Sequence, residues 1–211
     1  MQLERSEFLH EPVSPNGAGM VLTHGAGGNR RAPLLVAVAE AFCRAGFLVY
    51  RYDLPFRQKR TFGPPSPATA ESDRAGLREA VEAVRGLVGG RVFLGGHSYG
   101  GRQASMLVAE ESGAADGLLL LSYPLHPPKK PDQLRTGHLP SLRAPALFVH
   151  GTRDDFGTIE ELKRAIELIP APTGLIPVSG AGHDLAKGKF DVEALCPEFG
   201  RLTGLQEPSR A

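Results

Sequence analysis

A serine between glycines is the most chemically suggestive feature of this chain. Residues 96–100 read Gly-His-Ser-Tyr-Gly, which matches the G-x-S-x-G pattern of a nucleophilic serine on a tight turn. The pattern also arises by chance, so its surroundings decide its meaning. Ser98 follows the short apolar run from Arg91 to Gly95 and precedes residues with helical spacing from Arg102 to Glu111. We therefore predict a strand, a sharp turn that carries Ser98, and a helix.

The predicted turn also explains the glycines on both sides of Ser98. A serine in such a turn adopts a strained backbone conformation, and side chains beside it would clash, so glycines are needed on both sides. A helix that begins after the serine directs backbone N–H groups at an oxyanion formed on the substrate. This local pattern indicates acyl chemistry at Ser98.

A serine hydroxyl needs a base, because it is a poor nucleophile at neutral pH. Where this turn carries a nucleophile, the acid and then the histidine follow the serine along the chain. Four of the seven histidines follow Ser98. His150 ends an apolar strand, and His126 and His138 precede the strand expected to carry the acid. His183, in a glycine-rich loop after the last predicted strand, is therefore the candidate base.

The acid should end the strand before the last one. The segment Gly-Thr-Arg-Asp-Asp follows the apolar run Ala146 to His150, and it offers Asp154 and Asp155. Either carboxylate could orient His183 from this position. The residues themselves leave the choice between them open.

The strands and helices that must position these residues alternate along the chain. Apolar runs of strand length alternate with segments of helical spacing, which is typical of βαβ units on a doubly wound, mostly parallel sheet. Strands are predicted at Met20–Thr23, Phe47–Tyr52, Arg91–Gly95, Gly117–Leu121, Ala146–His150 and Gly174–Val178. Helices are predicted from Pro33 to Gly46, from Ala68 to Val88, from Arg102 to Glu111 and from Val192 to Leu202. A further helix is predicted to begin at Thr158, which has the spacing of a capping box with Glu161. Pro197 fits poorly inside the last of these helices.

Length and composition limit the class of protein. The 211 residues fit one globular domain, residues 1–211, and Lys plus Arg at 24 against Asp plus Glu at 23 give a net charge of +1. This balance predicts no nucleic-acid partner, and no apolar run is long enough to predict a membrane span. The N-terminus lacks the pattern of a secretory signal, which predicts a cytoplasmic protein. Cys43 and Cys196 are interpreted as partly buried thiols.

Five ordered motifs between about Gly19 and Leu202 resemble a known family: LTHGAGG, GGHSYGGRQAS, YPLHPP, LFVHGTRDDFG and GAGHDL. They resemble the small α/β-hydrolases related to dienelactone hydrolases, in the bacterial branch akin to the testis-expressed and NSL-complex-subunit proteins. The resemblance implies an α/β-hydrolase fold. It also implies that Asp154 is the triad acid, and that the oxyanion hole combines the N–H groups of Tyr99 and Ala26. It implies neither a metal nor an organic cofactor.

The expected function follows from these residues. Ser98, His183 and Asp154 would cleave a carboxylic ester or related acyl bond of a small molecule through an acyl-enzyme. Only the short, proline-rich segment from His126 to Ala144 separates two predicted strands where related proteins insert a cap domain. We therefore expect no cap, an open site, and short acyl groups or a bulky molecule with an exposed ester or amide as substrate.

Other interpretations remain. The same triad could transfer the acyl group to an acceptor other than water, and the chain could be a catalytically silent interaction module. The His24–Asn29 segment could instead hold a phosphate, although it lacks the spacing of known phosphate-binding loops. Arg57, Lys59 and Arg60 are interpreted as a solvated basic loop, with recognition of an anionic substrate as the alternative. The oligomeric state and the physiological substrate are not predicted.

Overall fold

A single seven-stranded sheet organises the computed structural model, which describes residues 7–186 and 190–205. The strands are β1 (Leu9–His10), β2 (Gly19–Thr23), β3 (Leu48–Tyr52), β4 (Val92–His97), β5 (Leu118–Leu121), β6 (Ala146–Gly151) and β7 (Thr173–Val178). Their order across the sheet is β1-β3-β2-β4-β5-β6-β7. Only β1 runs antiparallel to its neighbour, and the other adjacent pairs are parallel. The predicted doubly wound, mostly parallel sheet is confirmed.

The strand order reverses between β2 and β4. From β2 the chain moves outward to β3, then returns to place β4 on the other side of β2. A crevice forms at the carboxyl ends of the strands at such a point, and ligands of open α/β sheets bind there. The turn after β2 and the predicted nucleophile turn after β4 meet at this crevice, because Thr23 pairs with Gly96.

Helices cover both faces of the sheet. They are α1 (Pro33–Arg44), α2 (Pro55–Lys59), α3 (Ala70–Arg85), α4 (Tyr99–Glu110), α5 (Ile159–Ile166) and α6 (Leu195–Thr203). One core joins α1 and α6 to one face through side chains such as Leu35, Phe42 and Phe199. The other joins α3, α4 and α5 to the opposite face through Leu77, Leu107, Leu162 and others. The interior strands are therefore apolar on both faces, as their unbroken apolar runs predict.

Several helices begin or end at the residues that the sequence predicts. Pro33 is the first residue of α1, and Gly46, two residues past the helix, has a φ of +94°. At the start of α5 the Thr158 hydroxyl accepts a hydrogen bond from the Glu161 N–H, and the Glu161 carboxylate accepts one from the Thr158 N–H. This is the predicted capping box, and each side chain satisfies a backbone donor that the helix leaves free.

Besides the start of α4, three elements differ from the predictions. The short helix α2 lies where a loop without periodicity was expected, since five residues are too few to show a period. The two-residue strand β1 was not predicted, because a pairing of that length leaves no pattern in sequence. The last helix begins at Leu195 rather than Val192, so that Pro197 lies in the first turn, where its missing N–H costs nothing.

The segment between β5 and β6 is short, as expected. Among its residues, 122–145, the helical structure is one 3₁₀ turn at Leu139–Ser141. No cap domain is inserted between these strands. Cys43 and Cys196 are free thiols of intermediate exposure, which confirms their interpretation. Among the helices in the described ranges, none combines the length and the apolar character that crossing a membrane would need.

A partly buried histidine makes the stability of the fold depend on pH. His138 Nε2 lies 2.8 Å from Ser105 Oγ. Burial, with a further contribution from the Arg102 charge, lowers the pKa of His138 from 6.5 to about 4. Between these two pH values the unfolded chain binds a proton that the folded chain does not. The free energy of unfolding should therefore fall as the pH is lowered through this window.

We expect His138 to contribute roughly 3 kcal/mol to the loss of stability between pH 7 and pH 4. Urea unfolding of wild-type protein and of His138→Gln across this range measures the contribution. The glutamine retains a hydrogen-bonding group but does not titrate, so its stability should decline less steeply. Parallel curves for the two proteins would contradict the assignment.

Candidate active site

Ser98 lies in a strained turn between β4 and α4. Its backbone has φ 50° and ψ −116°, a positive φ that costs a residue with a side chain of the order of 1–3 kcal/mol. Its N–H donates to the carbonyl of Leu121 at 2.8 Å, which ties the turn to the neighbouring strand. Helix α4 begins at Tyr99, directly after Ser98, rather than at Arg102 as predicted. The turn is therefore shorter and sharper than the sequence indicated.

The glycines around Ser98 permit close backbone contacts. A Cβ on Gly96 would lie 2.5 Å from the backbone nitrogen of Gly101, and a Cβ on Gly100 would collide with the carbonyl oxygen of His24. Gly100 and Gly101 were predicted as part of the turn, and glycine is in general unfavourable inside helices. They lie in α4 instead, where close packing of Gly100 against the end of β2 and of Gly101 against Gly96 of β4 outweighs their low helix propensity.

His183 reaches Ser98 from the loop after β7. Its Nε2 lies 2.7 Å from Ser98 Oγ, and its Nδ1 lies 2.8 Å and 2.9 Å from the two carboxylate oxygens of Asp154. A carboxylate accepts hydrogen bonds, so the neutral ring carries its proton on Nδ1. The bare Nε2 then accepts the hydrogen bond from the serine hydroxyl. This is the tautomer that a general base requires.

Asp154 is the carboxylate that faces His183. Its side chain is 0% exposed, and it also accepts a hydrogen bond from the Phe156 N–H at 2.9 Å. Asp155, the alternative left open by the sequence, is exposed. The structure thus brings Ser98, His183 and Asp154 into one hydrogen-bonded chain.

Two residues that the sequence analysis did not single out hold His183. The ring of Phe156 stacks on the imidazole with 4.1 Å between ring centroids, and His97 Nε2 donates to the backbone carbonyl of His183 at 2.8 Å. Burial lowers the pKa of His97, which favours the neutral ring that makes this contact. Both residues adjoin predicted site residues in sequence, but no local pattern distinguishes them.

The remaining histidines after Ser98 lie elsewhere. His150 Nε2 donates to the carbonyl of Gly157 at 2.8 Å, and burial lowers its pKa. His138 contacts Ser105, and His126 Nε2 lies 3.5 Å from a carboxylate oxygen of Glu161. Their exclusion as the base agrees with this geometry.

The turn after β2 borders the crevice beside Ser98. The carbonyl of Gly25 accepts from the Gly28 N–H at 3.0 Å and from His24 Nδ1 at 2.8 Å. In a trans peptide the C=O and N–H groups point in opposite directions, so the N–H of Ala26 points away from these donors. Ala26 and Ser98 line the same cavity. Tyr99, as the first residue of α4, has an N–H without an acceptor inside its helix.

Arg57 is a structural part of the site rather than a solvated residue. Its side chain donates from Nε to the carbonyl of Gly28 at 2.8 Å, and from Nη2 to the carbonyl of Ala26 at 2.8 Å and that of Gly63 at 3.0 Å. The residue is 7% exposed. The interpretation of a solvated basic loop was therefore wrong for Arg57, although Lys59 and Arg60 are exposed. The sequence could not show which of the three cations lies next to the turn after β2.

Asp73 connects helix α2 to Tyr99, the residue after Ser98. The buried carboxylate of Asp73 accepts hydrogen bonds from the Phe56 N–H at 3.0 Å and from the Tyr99 hydroxyl at 2.8 Å. Burial and the Asp73 carboxylate raise the pKa of Tyr99, so the phenol remains a donor. The two backbone segments predicted to form an oxyanion hole are thus both supported from α2 and α3.

The fold and this geometry are those of the α/β-hydrolase class, in which a serine turn, an acid and a histidine follow three strands of the sheet in that chain order. The sequence matches the family described as alpha/beta hydrolase domain over residues 16–194, and the chain belongs to that family.

Solved structures share the fold at low sequence identity. A dienelactone hydrolase from Anabaena variabilis is 22% identical with a TM-score of 0.67, and the match covers 92% of this chain and 90% of that one. An α/β serine hydrolase without a lid from Xanthomonas campestris is 18% identical with a TM-score of 0.70, over 92% and 85% of the two chains. An esterase domain of a Rhodothermus marinus protein is 18% identical with a TM-score of 0.67, over 93% and 92%. These likenesses show the fold alone.

The role of Arg57 can be tested by substitution. In Arg57→Leu the buried carbonyls of Ala26 and Gly28 lose their donors, so we expect the free energy of unfolding to fall by about 2–4 kcal/mol. Arg57→Lys should recover part of this, since an ammonium cannot reproduce the guanidinium fork. The matched control Arg60→Leu, on the exposed side of the same segment, should change stability by less than about 0.5 kcal/mol. Equal effects of the two leucine substitutions, measured by urea unfolding, would show that Arg57 has no structural role.

Proposed function

We propose that this protein is a serine hydrolase that cleaves a carboxylic ester or related acyl bond of a small molecule. The observation that carries the proposal is the hydrogen-bonded chain from Ser98 through His183 to Asp154. Each member has the donor or acceptor role that nucleophilic catalysis needs. Support also comes from the family and from structural relatives whose names include esterases and a dienelactone hydrolase.

Acylation begins with attack of Ser98 Oγ on the carbonyl carbon. His183 Nε2 takes the hydroxyl proton as the new C–O bond forms, and the carbonyl electron pair moves onto oxygen. The N–H groups of Ala26 and Tyr99 stabilise this oxyanion. When the C=O bond reforms, the bond to the leaving oxygen breaks and His183 gives its proton to that oxygen. The products are an alcohol and acyl-Ser98.

Deacylation repeats these steps with water. His183 Nε2 takes a proton from water, whose oxygen attacks the acyl carbon, and the bond to Ser98 Oγ then breaks. The proton on His183 returns to the serine, and the acid product leaves. Asp154 stabilises the imidazolium in both halves and holds its tautomer between them.

Hydrolysis is preferred to acyl transfer because no cap domain is inserted between β5 and β6 to cover the crevice, so water has access. An acyltransferase must exclude water in favour of another acceptor. The interaction-module alternative is disfavoured by the complete hydrogen-bonded chain, which a retired site has no physical reason to keep. Membership of the bacterial branch akin to the testis-expressed and NSL-complex-subunit proteins is part of the same proposal.

Removal of the nucleophile tests the proposal directly. We expect Ser98→Ala to lower kcat for p-nitrophenyl acetate and butyrate by about 10⁴-fold or more, because no other group can form the acyl-enzyme. A fluorophosphonate probe should label wild-type protein and not the variant. The thermal unfolding midpoint of Ser98→Ala should remain near that of the wild type, which excludes misfolding as the cause.

The proposal fails if folded wild-type protein neither hydrolyses these esters nor takes up the probe. It also fails if Ser98→Ala retains more than a tenth of the wild-type rate.

The identity of the acid has its own test. Asp154→Asn should lower kcat by about 10³–10⁴-fold, since an amide can present its NH₂ group to His183 Nδ1 and so favour the wrong tautomer. The neighbouring substitution Asp155→Asn, at an exposed carboxylate, should cost less than tenfold. A larger loss in Asp155→Asn than in Asp154→Asn would assign the acid to Asp155.

A further inference from the structure

The aromatic ring of Phe156 covers one face of the His183 imidazole. The two ring centroids are 4.1 Å apart and the ring planes meet at 26°, so the rings are stacked. The other ring pairs in the described part of the chain are tilted or edge-on, with interplanar angles of 40° or more and centroids at least 5.0 Å apart. The contact on His183 is therefore closer and more nearly parallel than those that pack the core.

This arrangement suits a positively charged imidazole better than a neutral one. The face of a phenyl ring carries partial negative charge, and neutral aromatic pairs prefer centroids about 4.5–7 Å apart in offset or edge-to-face contact. A cation is attracted to the ring face when it lies within about 6 Å of the centroid. The Phe156 ring is thus placed where it attracts an imidazolium more strongly than an imidazole.

Backbone contacts fix the position from which the Phe156 ring extends. The Phe156 N–H donates to Asp154 Oδ1 at 2.9 Å, and the same oxygen lies 2.9 Å from His183 Nδ1. The Phe156 carbonyl accepts from the His126 N–H at 3.1 Å. The carboxylate that orients the base therefore also positions the backbone that carries the ring.

The charge on His183 changes during the proposed reaction. A general base must start as the neutral imidazole, and it becomes an imidazolium when Nε2 takes the proton of Ser98. The His183 side chain is 24% exposed, so water reaches only part of it. An interaction that is stronger with the imidazolium stabilises the transition state more than the ground state, which is the condition for raising kcat. An aliphatic side chain in the place of Phe156 would exclude the same water without attracting the charge.

The polar neighbours of His183 act from other directions. Asp154 contacts the edge of the imidazole at Nδ1, and the His97 ring is tilted by 48° with its centroid 5.4 Å away. Among the described residues, the ionisable groups around His183 are Asp154, His97, His150, Asp184, and Arg153 and Asp155, which border the same cavity as His183. All of these remain when only the Phe156 ring is altered, so a change in the titration of His183 then reports the effect of the ring.

We propose that Phe156 is a positioning residue of the reaction, whose ring holds the His183 imidazole by stacking and stabilises the imidazolium formed in acylation and in deacylation. This inference rests on the proposed function. No atom of Phe156 takes part in bond formation, and its effect is exerted through His183.

Fluorination of the ring provides the first test, because it withdraws negative charge from the ring face and changes the shape of the side chain little. Position 156 of the full chain receives 4-fluoro-, 3,5-difluoro- or 3,4,5-trifluorophenylalanine. We expect kcat for p-nitrophenyl acetate to fall with each added fluorine, by roughly twofold to thirtyfold over the series.

The matched control for this series is Phe47, a buried ring that directly precedes β3 at the opposite edge of the sheet. The same three fluorinated residues at position 47 should leave kcat unchanged. Rates that stay constant or rise across the series at position 156 would overturn the inference.

The pH profile provides the second test. Activity needs the neutral imidazole, so kcat/KM falls at low pH as His183 becomes protonated. Because the ring stabilises the protonated form, its fluorination should move this acid limb to lower pH, by roughly 0.5–1.5 pH units for the trifluorinated ring. An acid limb that stays in place or moves to higher pH would contradict an electrostatic role of Phe156.

Two natural substitutions separate the aromatic face from apolar bulk. Phe156→Leu keeps an apolar side chain, and we expect it to lower kcat about tenfold while KM changes less than about threefold. Phe156→Tyr keeps the aromatic face and should retain at least about a third of the wild-type kcat. A Phe156→Tyr variant as slow as Phe156→Leu, with both proteins folded, would show that the aromatic face has no role.

Failure of this inference and failure of the proposed function are distinguishable. In Ser98→Ala protein, NMR can follow the protonation of the His183 imidazole without ester turnover, and its midpoint should lie at lower pH when position 156 carries the trifluorinated ring. If wild-type protein cleaves no ester and the midpoint still moves, the stabilisation of the imidazolium stands and the proposed function fails. If esters are cleaved and neither the rate nor the midpoint responds to fluorine, only this inference is overturned.

Discussion

The close approach of α4 to the end of β2 is the constraint on which the site depends. Gly100 lies against the carbonyl of His24, and Ser98 is held with a positive φ at the start of α4. This strain costs of the order of 1–3 kcal/mol and persists because the packed strands on both sides leave no other path for the chain. In this position Ser98 Oγ lies 2.7 Å from His183 Nε2, and Ser98 lines the same cavity as the turn after β2. A larger residue at position 100 would separate the nucleophile from that turn.

A buried polar network connects the turn after β2 and Tyr99 to helix α2 and to Asp73. The turn after β2 has no regular secondary structure, and its carbonyls need donors. Arg57 supplies them from α2, while Asp73 ties the backbone of α2 to the Tyr99 hydroxyl. Such a network is stabilising only when every member is satisfied, because an unpaired buried group costs more than a hydrogen bond contributes. The site therefore depends on residues that never contact a substrate.

Burial divides the histidines of this protein by role. For His24, His97, His138 and His150 the loss of solvation lowers the pKa and favours the neutral ring, which suits structural hydrogen bonds to carbonyls, backbone N–H groups or hydroxyls. His183 differs in having a buried carboxylate on one nitrogen and a serine hydroxyl on the other. Residue type alone gives all five the same chemistry, and the surroundings assign them different tasks.

The sequence by itself determined the features that neighbouring residues encode. Apolar runs and helical spacing predicted the alternation of strands and helices. The Thr158–Glu161 pair predicted a helix start, and the order of Ser98, Asp154 or Asp155, and His183 predicted which chain segments meet at the carboxyl edge of the sheet. These signals are local, or follow from the rule that parallel strands end at the same edge. Helix α2 and strand β1 were missed because elements of five and two residues carry no period.

Only the tertiary structure decided which side chains face one another across the fold. It placed Asp154 rather than Asp155 against His183, and it brought Arg57 of a supposed solvated loop against the turn after β2. Contacts of this kind depend on the packing of whole elements. Two adjacent aspartates, or three nearby cations, are equivalent in sequence until the packed chain turns one inward and leaves the others in water.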